Sequence, residues 1–125
     1  MEVILDTNIW VACLHDSDTQ YEKALRLVEV IDEQILIPEY VLIEILNVVT
    51  TKIGKTSADN FISNLIASER VTMLWATDEF REELLSFFTS NKIERLSFVD
   101  QSLLFLSKKY KVVTFDKVLA KRIGR

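Results

Sequence analysis

The sequence predicts a three-layer α/β/α fold around a mostly parallel sheet, and three observations predict it. Short, mainly apolar runs at 2–5, 35–37, 71–75 and 112–115 read as strands, and Ile35-Leu36-Ile37 is continuously apolar, of the kind buried on both faces. Longer stretches with apolar residues at helical spacing stand between them, and parallel strands need such crossovers. The 125 residues are 49% hydrophobic, with two glycines and one proline, so the chain can fill a sizeable core and holds no linker or low-complexity stretch. A single domain over 1–125 is expected.

The first strand ends at Asp6, and Thr7-Asn8 leads into helical material as far as about His15. Asp16-Ser17-Asp18 supplies a turn, after which Tyr21, Ala24, Leu25, Val28 and Ile31 recur as one apolar helix face. After the second strand Pro38-Glu39 opens a long helix to about Ile53, where Gly54 is placed to end it. Helical spacing returns over 56–68, the third strand follows, and Asp78 starts a helix reaching about Asn91. Ser97 begins another, to about Tyr110; after the fourth strand, Asp116 starts a last short helix.

Composition excludes several classes. One cysteine, Cys13, cannot close an internal disulfide, and with the single histidine, His15, it cannot furnish a thiolate or imidazole zinc site. No uncharged run approaches the ~20 residues of a bilayer span, so a cytoplasmic protein without membrane contact is expected. The net charge of −4 is unevenly spread. Residues 108–125 hold seven lysines and arginines against one acid, while the other 107 residues hold eight against eighteen.

The acids carry the functional argument. In a parallel α/β sheet the strand-to-helix turns emerge at one edge, where ligands bind. Asp6 and Asp116 each follow a strand directly, Glu44 sits between one and two turns into the helix after the second strand, and Asp100 lies in the first turn of its own helix. Each has a plainer reading: Asp6 and Asp116 as helix caps, Ser97 with Asp100 as a capping box, and Glu44 as part of a solvated stripe with Tyr40, Asn47 and Thr51. Together, carboxylates on one edge repel one another, and hard divalent cations such as Mg²⁺ or Mn²⁺ relieve them most simply. Oxygen-only ligands suit phosphodiester hydrolysis and need no nucleophilic side chain.

These segments, Val3-Ile4-Leu5-Asp6-Thr7-Asn8, Ile37-Pro38-Glu39-Tyr40-Val41-Leu42-Ile43-Glu44, Leu96-Ser97-Phe98-Val99-Asp100 and Val113-Thr114-Phe115-Asp116, stand in the order and at the separations of a known family. The sequence resembles PIN-domain proteins, including the toxins of VapBC-type toxin–antitoxin pairs. The resemblance covers nearly the whole chain. It implies a sheet of four to five strands and a metal-dependent endoribonuclease in which Asp6, Glu44, Asp100 and Asp116 bind Mg²⁺ or Mn²⁺ and position the attacking water. It further implies that Asn8 and Thr114 orient the acids, that RNA is the substrate, and that a homodimer and an antitoxin protein are partners. Two departures stand out: the sequence closes at Gly124-Arg125, about where a short fifth strand would begin, and Gln101-Ser102-Leu103 replaces the small residues usual after Asp100.

Lys117, Lys121 and Arg122 lie just beyond Asp116 and are candidates for RNA contact, with a solvated helix face as the plainer reading. Phe87, Phe88, Phe98, Phe105 and Tyr110 fall in helical patterns and read as core rather than stacking platforms; Trp10 stays open. A phosphoryl-accepting receiver module needs adjacent acids after the first strand, and a haloacid-dehalogenase-type phosphatase needs a second Asp where Asn8 stands. The remaining alternative is a non-catalytic PIN-fold module that binds RNA or a protein partner.

Overall fold

The computed structural model describes residues 2–124. Four strands, β1 (Glu2–Leu5), β2 (Gln34–Pro38), β3 (Val71–Leu74) and β4 (Lys111–Val113), form one sheet in the order β3-β2-β1-β4, every pairing parallel. Val3, Ile4 and Leu5 are fully buried, as a strand covered on both faces requires.

Alternation along the strands assigns the two faces. Val3, Leu5 and Ile35 pack with α1 (Thr7–Leu14) and α2 (Tyr21–Glu29), through Ile9, Ala12 and Ala24. Ile4 and Leu36 face the larger cluster, which takes Val41, Ile45 and Val49 from α3 (Glu39–Lys52), Phe61 from α4 (Lys55–Ala67), Leu103 from α6 (Phe98–Leu106) and Leu119 from α7 (Lys117–Ile123). The helix α5 (Asp78–Ser90) packs on α6 through its rings, with Phe87 and Phe105 centroids 5.2 Å apart.

Gly54 joins α3 to α4 at φ +138° and ψ 163°, a conformation that side chains with a Cβ do not adopt without strain, so its place at the helix end follows from its backbone freedom. Three elements are shorter than the sequence suggests. The helix α2 stops at Glu29, so Ile31 lies beyond it with its amide bonded back to the Val28 carbonyl at 3.2 Å, and Leu25, expected on the apolar face, is exposed. The helix α6 stops at Leu106 because the next amides turn back in tighter bonds, Lys108 to Phe105 and Lys109 to Leu106. The strand β4 stops at Val113, whose carbonyl accepts from the Asp6 amide at 2.9 Å; Thr114 then leaves the ladder and turns its side chain to Asp6.

Candidate metal and RNA-cleavage site

Asp6, Glu44, Asp100 and Asp116 line one open cavity of about 490 Å³ at the carboxyl edge of β1 and β4. Asp6 leaves β1 and caps α1, its Oδ1 accepting from the Thr7 amide at 2.7 Å. Its Oδ2 accepts from Thr114 Oγ1 at 2.6 Å. That hydroxyl in turn accepts from the Asp116 amide at 3.0 Å and from Asn8 Nδ2 at 3.4 Å, while Asn8 Oδ1 accepts from the Phe115 amide at 3.3 Å. Asn8 and Thr114 thus tie the end of β1 to the turn after β4.

The helix-cap readings hold as well. Asp116 Oδ1 accepts from the Leu119 amide at 2.9 Å, and Ser97 and Asp100 form a complete capping box. The stripe reading for Glu44 holds only in part: Asn47 and Thr51 are exposed, but Glu44 and Tyr40 are half-buried. Capping and cavity lining are therefore combined in the same side chains.

Asp6 is only 4% exposed, and its pKa rises from the ordinary 3.8 to about 6. Burial is the main cause; the Thr114 and Thr7 hydrogen bonds oppose it, and the charges of Asp100 and Glu44 add to it. Among the described residues none of the four acids joins an ion pair. The uncompensated charge and all-oxygen donor set fit a hard divalent cation. The buried Thr7 Oγ1, also on the cavity wall, has no hydrogen-bond partner among the described residues, as expected where a polar guest completes the site. Even so, no three described acids converge closely enough to make a ready-formed cage, so to hold an ion the carboxylates would have to draw in.

Lys117, Lys121 and Arg122 are exposed on α7 and are not among the residues lining this cavity. The cation that does line it is Lys52, two turns beyond Glu44 on α3, with Asp18 and Gln20 beside it. The spacing Glu44, Val48, Lys52 along one helix face was the signal in the sequence that would have found it. Cys13 is half-buried, with its thiol pKa raised by burial, and Trp10 packs edge-on against Phe61 at 5.7 Å.

A family model described as PIN domain matches residues 3–124. The chain belongs to the PIN-domain family. Among solved structures, this PIN domain is similar to VapC20 of Mycobacterium tuberculosis, described as a sarcin-ricin loop cleaving toxin, with a TM-score of 0.83 and 20% identity. The match covers 95% of this chain and 93% of that one. No curated protein matches the chain. No helix among the described residues is long and apolar enough to cross a membrane.

Proposed function

We propose that this PIN domain is a divalent-metal-dependent endoribonuclease, the toxin component of a toxin–antitoxin pair. The observation that carries the reading is the gathering of four carboxylates, from four separate segments and outside any ion pair among the described residues, on the wall of one cavity. Family membership and the similarity in fold to a toxin that cleaves the sarcin-ricin loop support it. In this reading the substrate is RNA, the setting cytoplasmic, and the partners an antitoxin protein and a second copy of the chain.

Asp6, Glu44, Asp100 and Asp116 would hold Mg²⁺ or Mn²⁺, which supplies an activated water and charge stabilisation at the phosphate. The chain's own residues prepare this. Thr114 fixes the Asp6 carboxylate by donating to Oδ2, which orients that oxygen and favours its ionised form against the burial that raises its pKa. Asn8 and the Asp116 amide hold the Thr114 hydroxyl in the rotamer that makes this donation. Lys52 at the rim offers a positive charge to an RNA phosphate that the acids alone would repel.

One observation favours a second reading, a non-catalytic binding module: the acids are not drawn into a cage, and Asp100 and Asp116 already serve as caps. Cleavage of mixed structured and single-stranded RNA in Mg²⁺ or Mn²⁺ separates the two. The nuclease reading expects activity that EDTA abolishes and that falls at least about 100-fold in folded Asp6→Ala and Asp100→Ala variants. A folded protein inactive on every RNA tried, yet able to bind Mn²⁺, would establish the binding module instead.

A further inference from the structure

A second cavity, of about 360 Å³, opens beyond the carboxyl ends of β2 and β3, where Pro38 and Leu74 close their strands. Its walls are mainly apolar and aromatic, including Tyr40, Trp75, Phe80 and Phe105. Trp75 is 60% exposed, an unusual outlay for the largest apolar side chain unless something covers it.

Lys108 and Lys109 stand at the same cavity, both exposed and neither paired with a carboxylate among the described residues. Of the two acids there, Glu39 is already engaged, its Oε1 accepting from the Ala76 amide at 3.0 Å and its Oε2 3.8 Å from Arg81. Positive charge therefore exceeds the remaining negative charge of Glu83.

The two cavities are neighbours. Tyr40 lies one turn before Glu44 on α3, and its ring meets Phe98, two residues before Asp100, with centroids 5.6 Å apart. Strands of one sheet lie ~5 Å apart, so the β2–β3 half of the edge is about 10 Å from the β1–β4 half, a few nucleotides of RNA.

We propose that this aromatic cavity is a nucleobase subsite, taking a base of the same RNA strand whose phosphate is presented to the acids. The proposal rests on RNA being the substrate. The exposed Trp75 supplies a stacking face that any base can use, and Lys108, whose ammonium lies over Phe105 at 5.0 Å, and Lys109 bring positive charge to the flanking phosphates. A base held here would select substrates unpaired at a fixed distance from the cut.

Trp75 is its own reporter, since a stacked base quenches indole fluorescence and the other tryptophan, Trp10, packs against Phe61. A 2′-O-methyl hexanucleotide of mixed sequence is titrated into the full chain in EDTA, where metal-dependent cleavage does not run, and the signal is the difference between wild type and Trp75→Phe. The proposal expects saturable quenching that an abasic hexanucleotide does not give, and affinity at least about fivefold weaker in Lys108→Gln/Lys109→Gln, which keeps the Trp75 reporter. No quenching by the hexanucleotide overturns it, as does quenching by N-acetylphenylalaninamide alone, which would mark an apolar peptide site. RNA cleavage with undisturbed Trp75 fluorescence sinks this proposal and spares the nuclease reading; quenching in a protein that never cuts does the reverse.

Discussion

Over β1 and β4 the carboxyl edge of the sheet carries fixed charge, whereas over β2 and β3 it carries rings. The acidic half is built from the backbone outward: Asp6, Asp100 and Asp116 each bond an amide of the chain that presents them. The aromatic half is assembled from side chains of α3, α5, α6 and the turn after β3, held by ring contacts such as Tyr40 with Phe80 at 6.5 Å. Backbone-anchored groups are placed by topology; ring-on-ring walls are placed by packing, and so adapt to a guest more readily.

Three substitutions would sharpen or break that contrast, taken from the largest effect to the smallest. Thr114→Val removes the donor to Asp6 without changing the side chain's bulk, and RNA cleavage is expected to fall about 10- to 100-fold. Stacking at Trp75 should not change. A uniform loss of both would show that the halves are not independent.

The next test uses Asp6 without metal. A carboxyl whose pKa is raised on folding favours the folded state while protonated, so its stabilising proton is fully held below about 3.8 and lost as pH rises through about 6. At about 1.4 kcal/mol per tenfold change in proton affinity, the ionised site costs the metal-free protein up to about 3 kcal/mol at pH 7. Urea unfolding in EDTA should therefore show Asp6→Asn more stable than wild type at pH 7, with the gap closing near pH 4. An unchanged gap would mean that burial does not govern this acid.

The smallest effect belongs to Lys52→Gln. Affinity for uncleavable RNA should drop a few-fold, and the salt dependence of binding should lose about one phosphate contact. An unaltered salt slope would leave Lys52 as a bystander on the rim.

Most of the acidic half was legible in the sequence because strand-to-helix junctions converge wherever a parallel sheet forms, and Asp6, Glu44 and Asp116 sit at or near such junctions; Asp100 lies on α6, which follows α5 rather than a strand, so its place at the same edge came through the resemblance. Asn8 and Thr114 came only through resemblance, since two residues 106 apart give no local sign of meeting. The aromatic half was not legible. Phe105 and Tyr40 have helical spacing, which says that a face is covered but not how completely. Phe88 remains 38% exposed, and only packing decides such a margin. The end of β4 was misplaced by two residues because Thr114 reads as a good strand residue, yet its hydroxyl is held by Asp6.

The capping roles bear on how such a site ages. Asp6, Asp100 and Asp116 each stabilise a helix start whether or not RNA is ever cut, while the Glu44 side chain makes no hydrogen bond among the described residues. A lineage that abandoned the chemistry would still be selected to keep three of the four acids. Glu44 is the one it would let drift first, which makes that position the informative one when descendants of this chain are sorted into active and silent.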